Sequence, residues 1–311
     1  MKQKIIFLVG PTAVGKTNIS LALAKKINAE IISCDSMQIY KGMDIVTSKP
    51  SKALRSKVKH HLIDVITPTQ EYNVSKFRKE ALKKIEEIIK RKRTPLFVGG
   101  TGLYMTILID GIFKYRPNNK IRAALYKELG KKGKQYLYKR LKKVDPEAAG
   151  RIHPNDAKRI VRALEVFKAT GKTISFLQKQ RKGLRNKYDI EIFCLNMERD
   201  ILYKRIDQRV EAMFRQGLVA EVKKLFKIKL SKTASCAIGI RELKGYFNGD
   251  KELEETKNLI KRNTRLYAKR QLTWFRKDKR IKWINVREKD KTGVVVKRIL
   301  DGKSAISNDK I

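Results

Sequence analysis

The sequence predicts an α/β protein, a parallel sheet flanked by helices, interrupted by an all-helical insertion. Three observations carry that reading. The apolar run Ile5 to Val9 opens into G-P-T-A-V-G-K-T, Gly10 to Thr17, with helical spacing behind it. Short buried-strand patterns then alternate with helical ones, the order that builds a parallel sheet. From Tyr115 strand signals vanish, and they return only at Asp189. The expected division is a core of residues 1–114 and 188–301, a helical insertion at 115–187, and a polar tail at 302–311 that frays.

Each element has a local reason. Five apolar residues ahead of Gly10 suit a strand buried on both faces. Gly10, Pro11, Thr12, Ala13, Val14, Gly15, Lys16 and Thr17 match G-x-x-x-x-G-K-T between a strand and a helix, which makes the fold P-loop NTPase-like. Gly10 and Gly15 permit backbone angles that a Cβ would forbid. Successive N–H groups can then face an anion, and the following helix adds the positive end of its dipole. Lys16 neutralises phosphate charge, and the Thr17 hydroxyl can hold a magnesium ion. Taken alone, the loop suggests a nucleotide site, ATP first, without saying which phosphate compound it holds.

Ile19 to Ile27 repeats apolar residues at helical spacing and stops at Asn28. Glu30 to Tyr40, E-I-I-S-C-D-S-M-Q-I-Y, reads as a short buried strand that delivers Asp35, Ser36 and Gln38 past its carboxyl end, where open α/β sheets bind ligands. His60 to Ile66 reads as another strand and Phe77 to Lys92 as an amphipathic helix. Pro95 to Gly102, P-L-F-V-G-G-T-G, repeats the strand-then-glycine arrangement, and its glycines are expected to bring backbone close to a ligand a second time. In the insertion, Ile121, Leu125 and Leu129, then Ile160, Leu164 and Phe167, recur at helical spacing between turns such as Asp145-Pro146. Asp189 to Asn196 rejoins the sheet, and Arg199 to Phe226 and Leu253 to Phe275 read as long basic helices.

A chain of 311 residues with 41% hydrophobic residues folds around a sizeable core. Its 74 Lys and Arg against 31 Asp and Glu give a formal charge of +43, a field that attracts polyanions, nucleic acid foremost. Cys34, Cys194 and Cys236 are odd in number and far apart, which indicates neither a disulfide framework nor a zinc site and suits a reducing cytoplasm. No apolar run is long enough for a membrane span, and the first strand begins at once, so no signal peptide is expected. The expected protein is cytoplasmic and monomeric.

Asp35 is open to three readings: a magnesium ligand, a catalytic base, or a turn residue. Beside Lys16 its ionised form is favoured, and an ionised carboxylate can take a proton from an amine or hydroxyl. The adjacent His60 and His61 point to opposite faces of a strand and suit hydrogen bonding better than one metal. Lys158, Arg159 and Arg162 form a basic helical face while Ile160 and Val161 face inward. Lys261 to Arg276 interleaves bases with Tyr267, Trp274 and Phe275, which suits phosphate contacts and base stacking, or equally a core.

These pieces line up in order with one family. Through G-P-T-A-V-G-K-T, D-S-M-Q-I-Y-K-G-M-D-I, H-H-L-I-D-V, G-G-T-G-L-Y, D-P-E-A-A-G-R-I-H-P-N-D-A-K-R-I-V-R-A-L-E-V, A-I-G-I-R-E-L and T-R-L-Y-A-K-R-Q-L-T-W-F-R, the chain resembles the tRNA dimethylallyltransferases. The resemblance covers Lys4 to about Lys277. It implies dimethylallyl diphosphate as donor and, as acceptor, the N6 amine of the adenosine 3′ of the anticodon in tRNAs reading codons that begin with U. The loop Gly10 to Thr17 would then hold a leaving diphosphate with magnesium on Thr17, and Thr12, Lys16, Asp35 and Arg209 would be catalytic, Arg209 on the diphosphate side. The implied tRNA contacts are Asp35, Ser36, Met37, Gln38, Thr101, Arg122, Lys158, Arg159, Ile160, Val161, Arg162, Cys236, Ala237, Ile238, Gly239, Ile240 and Arg241, with the insertion gripping the anticodon stem-loop.

Val14 and Val46 depart from the family, which often has Ser and Gly there, and the chain lacks the zinc finger of some eukaryotic members, as the bacterial type does. Three other readings share some of these features: a P-loop small-molecule kinase, an adenylate isopentenyltransferase acting on AMP, and a non-enzymatic basic RNA-binding protein.

Overall fold

The computed structural model describes residues 2–113, 115 and 118–302, so the expected tail, Gly302 apart, lies outside the described residues. The chain divides into two compact units, Met1–Leu108 with Lys187–Ile311, and Ile109–Asn186. The first stretch holds β1 (Lys4–Val9), α1 (Lys16–Lys26), β2 (Ala29–Ser33), α2 (Lys52–Lys57), β3 (His60–His61), α3 (Val74–Lys90), β4 (Thr94–Gly99) and α4 (Gly102–Asp110). The smaller unit follows with α5 (Asn119–Val144), α6 (Pro146–Arg151), α7 (Ala157–Thr170) and α8 (Ile174–Lys179). The chain then returns as β5 (Asp189–Asn196), α9 (Arg199–Arg215), α10 (Leu218–Leu225), α11 (Ile240–Phe247), α12 (Leu253–Phe275), β6 (Lys282–Asn285) and α13 (Thr292–Leu300). Among the described residues no helix is long and apolar enough to cross a membrane.

The strands form one parallel sheet in the order β3-β2-β4-β1-β5-β6. β1 is buried on both faces from Ile5 to Val9, and Phe7 stacks on its register partner Phe97 with centroids 4.7 Å apart. Val9 pairs with both Gly99 and Cys194, and the Cys34 N–H donates to the Val98 carbonyl at 2.8 Å. The turns after β1, β2 and β4 therefore open at the same edge of the sheet, the edge that binds ligands in such folds.

Three expectations need correction, and one strand lies outside them. The strand at His60 to Ile66 is only His60–His61, because Leu62 (φ 60°) and Asp64 (φ 56°) turn the chain, and Asp64 is clasped by Lys49 at 2.6 Å and Arg55 at 2.7 Å. The helix Arg199 to Phe226 is two helices, broken at Gly217 (φ 95°). β6 was not foreseen: its core is two residues, Trp283 and Ile284, framed by Lys282 and Asn285, too short to show a pattern. The glycines of the second strand-then-glycine turn serve protein contacts. A Cβ on Gly99 would stand 2.1 Å from the Cys34 carbonyl oxygen, and one on Gly102 would stand 2.2 Å from Trp274.

The smaller unit packs around Leu125, Leu137, Leu141, Ile160, Val161 and Leu164. Buried Glu165 accepts from Arg122 Nε at 3.1 Å and Nη2 at 3.0 Å, and from Arg162 Nη1 at 3.3 Å, while Arg162 also lies 4.4 Å over the Tyr115 ring.

Candidate active site

The phosphate loop is built by backbone geometry. Gly10 has φ 148°, and a Cβ there would stand 2.8 Å from the Leu195 carbonyl oxygen, so the close pass beside β5 requires glycine. Ala13 (φ 64°) and Gly15 (φ 99°) complete the turn into α1. That helix has no side-chain N-cap and no acidic residue in its first turn, so its positive end is left for an anion. Lys16 Nζ donates to the Gly10 and Pro11 carbonyls at 2.9 and 2.6 Å. Burial, and after it the Arg209 charge, bring the Lys16 ammonium down to about 8 against the opposing pull of Asp35.

Asp35 stands two residues past β2. Its Oδ1 accepts from the Met37 N–H at 2.9 Å, and its second oxygen has no protein partner among the described residues. The acid's neighbours are fixed by the turn after β4: Thr101 donates its N–H to the Cys34 carbonyl at 3.2 Å, and its Oγ1 accepts from the Ser36 N–H at 3.1 Å. Ser33 Oγ meets Gln38 Oε1 at 3.0 Å, which ties the far end of the D-S-M-Q segment to the strand.

Helix α9 lies against the loop and carries Arg205 and Arg209 one turn apart. Arg209 Nη1 donates to Thr12 Oγ1 at 3.2 Å and Nε to Ser48 Oγ at 2.9 Å. Burial lowers the Arg209 guanidinium, which nevertheless stays charged at any physiological pH. The segment that carries Ser48 is anchored from behind: the N–H groups of Asp44, Ile45 and Val46 donate to the Glu221 carboxylate at 2.9 to 3.0 Å. The break at Gly217 is what lets α10 turn Glu221 into that position.

Lys16, Thr17, Thr12, Asp35, Ser36, Met37, Gln38, Arg205 and Arg209 line one cavity of about 640 Å³, walled on its apolar side by Val46, Val210, Met213, Ile238 and Ile260. One cavity thus carries the phosphate-loop residues, two arginines, an apolar set and the Asp35 carboxylate. Of the aromatics left open by the sequence, Tyr267 lines the cavity, Phe275 is core, and Trp274 is about one-third exposed. Burial and the Asp35 charge push the Tyr267 phenol up, so it stays neutral, while hydrogen bonds from Thr101 and Gln271 to its oxygen pull the other way.

The sequence-derived positions fall into groups. Cys236, Ala237 and Ile238 line the cavity, Arg241 is exposed and donates to Cys236 Sγ at 3.2 Å, and Gly239 and Ile240 are buried. In the smaller unit Lys158 and Arg159 are exposed, whereas Ile160 and Val161 sit in its core, with their side chains turned away from solvent. Arg122 is held by Glu165, with its side chain about one-third exposed. Val14 is buried beneath the loop, and Val46 Cγ2 stands 3.0 Å from where a Cβ on Gly239 would be. Sequence reasoning missed Arg205, Ser48 and Gln271. The i, i+4 arginine pair on α9 was a usable signal; for Ser48 and Gln271 nothing local was.

The profile described as IPP transferase matches residues 38–278. The tRNA dimethylallyltransferase of Carboxydothermus hydrogenoformans is 48% identical over 290 residues, covering 92% of this chain and 93% of that protein. That of Halothermothrix orenii is 46% identical over 91% of this chain and 87% of its own. Among solved structures, the tRNA isopentenylpyrophosphate transferase of Bacillus halodurans superposes with a TM-score of 0.71 at 40% identity, covering 97% of both chains. A eukaryotic dimethylallyltransferase acting on tRNA reaches 0.80 at 28% identity over 97% of this chain and 80% of that one.

Proposed function

The chain belongs to the IPP transferase family, and from that premise we propose that it moves a dimethylallyl group from dimethylallyl diphosphate to N6 of the adenosine 3′ of the anticodon, in tRNAs reading codons that begin with U. The observation that carries the reading is the meeting of phosphate loop, apolar wall and Asp35 in one cavity. A kinase shares the phosphate loop and can use a carboxylate base, but it has no dimethylallyl chain for an apolar wall to receive.

The chemistry follows from the residues. The bond between the allylic carbon and the diphosphate oxygen breaks as the N6–carbon bond forms. Negative charge gathers on the departing diphosphate, where Lys16, Arg209 and the α1 N-terminus stand. The N6 lone pair is conjugated with the purine ring, so attack is helped when Asp35 takes the N6 proton. The apolar wall accepts the dimethyl end and excludes water, the competing acceptor. Thr12, held by Arg209, offers its hydroxyl to the same diphosphate oxygens.

Magnesium fits this donor set in one form only. Among the described residues no cluster of three or more acidic, His or Cys side chains could hold a metal, so the protein would offer Thr17 and the diphosphate and water the remaining oxygens. When bound, the ion would neutralise charge on the leaving group. The reading carries with it a cytoplasmic monomer.

The test is acceptor choice: incubation with dimethylallyl diphosphate and magnesium, with an anticodon stem-loop or AMP, followed by nucleoside mass spectrometry. Prenylated adenosine in the stem-loop alone is expected. Equal or better modification of AMP would favour an adenylate isopentenyltransferase and overturn the proposal.

A further inference from the structure

Helix α12 meets the two halves of the site through one stripe of side chains. Tyr267, Gln271 and Trp274, spaced i, i+4 and i+7, lie on one helical face. Tyr267 faces Thr101 and Trp274 packs on Gly102, while Gln271 between them makes two hydrogen bonds of unusual placement. Its Oε1 accepts from the Thr12 N–H of the phosphate loop at 2.9 Å, and its Nε2 donates to the Gly100 carbonyl at 3.0 Å. The amide is buried, and a Cβ on Gly100 would stand 2.0 Å from Nε2, so that glycine leaves the space the amide occupies.

The two partners belong to different halves of the reaction. Thr12 is the residue that Arg209 grips on the diphosphate side. Gly100 precedes Thr101, which holds the Cys34 carbonyl and the Ser36 N–H on either side of Asp35. A single planar amide therefore spans from the leaving-group loop to the turn after β4, whose Thr101 holds the segment that carries the base.

We propose that Gln271 is a positioning residue that sets the distance between the bound allylic carbon and the Asp35-activated amine. It touches neither substrate. This rests on the proposed prenyl transfer and deepens it. Reacting atoms must be held at about 3 to 3.5 Å, and a misplacement of about 1 Å costs about 100-fold. Losing the bridge leaves each substrate its own binding groups but frees the two loops to drift relative to each other. The signature is a fall in kcat with KM preserved.

The experiment compares wild type with Gln271→Met, which keeps length and volume without hydrogen bonds, and Gln271→Asn, which keeps the amide but cannot reach both partners. Each is measured for kcat and donor KM with dimethylallyl diphosphate and an anticodon stem-loop, for stem-loop Kd without donor, and for Tm. The expectation for both variants is a kcat about 100-fold lower, with KM and Kd within about threefold. Either variant turning over at the wild-type rate, a loss confined to KM, or a loss that tracks a collapse in Tm would overturn the inference. A wild type that transfers no prenyl group would remove the proposed function and this inference with it. An active wild type with active variants would remove the inference alone.

Discussion

At the amino end of the sheet, buried Glu30 on β2 lies 2.6 Å from His61 Nε2 and accepts from Arg91 Nε and Nη2 at 2.9 and 2.8 Å. At the carboxyl end, Lys16 and Arg209 stand half-buried in one cavity, with Asp35 as the acid that opposes them. In the first cluster opposite charge outweighs desolvation at Glu30: burial alone would raise its carboxyl, but Arg91, and the His61 hydrogen bond after it, bring it down to about 2, while burial holds His61 below the ordinary imidazole range and so neutral at pH 7. In the second, desolvation and like charge prevail and Lys16 falls to about 8. The same sheet thus carries one saturated charge cluster, which serves stability, and one that gains by receiving an anion.

That contrast can be broken at four points, in falling order of effect on turnover. Asp35→Asn removes the proton acceptor at nearly constant volume, so transfer falls about 1,000-fold while stem-loop Kd is held; near-normal single-turnover rates would exclude Asp35 as base. Arg209→Ala removes charge from the leaving-group side and costs about 100-fold in kcat, with the larger share lost in kcat/KM for the donor. The alkaline limb is weaker. Free Lys16, with its pKa at about 8, loses its proton above that value, so donor kcat/KM drops about tenfold from pH 7 to 9, and Lys16→Arg flattens this limb.

Glu30→Gln is the opposite case: kcat stays unchanged while about 2 kcal/mol of stability is lost, measured by denaturant unfolding at pH 7. The sign follows from the depressed carboxyl. Its stabilisation is present above the ordinary Glu range and is lost as pH falls toward about 2, so the variant and wild type converge in acid. A Glu30→Gln protein with impaired turnover would mean that the two ends of the sheet are coupled.

What was legible in the sequence was what local chemistry fixes. The loop at Gly10 to Thr17 announces itself because its glycines and Lys16 are neighbours in the chain, and Asp35 because a strand end must deliver it to the same edge. The Gly217 break could have been read, since a glycine after a last turn that carries Arg215 is an ordinary helix stop. The roles of Gln271 and Glu221 could not. A glutamine in mid-helix and a glutamate in a first turn look like any others until the fold brings them to Thr12 and to the Asp44–Val46 amides, more than 170 positions away in the chain. Likewise the glycines after β4 were legible as close approaches, but what approaches them is protein.

The central claim is that the loop Gly10 to Thr17 holds the part of the donor that leaves. Its most direct test is a stoichiometry: diphosphate released and prenyl-adenosine formed, counted in one reaction with dimethylallyl diphosphate and the anticodon stem-loop, beside a parallel reaction with labelled ATP. One diphosphate per modified adenosine, and no phosphoryl group moved from ATP to RNA, is the predicted result. Phosphoryl transfer from ATP, or diphosphate release without a modified base, would contradict it.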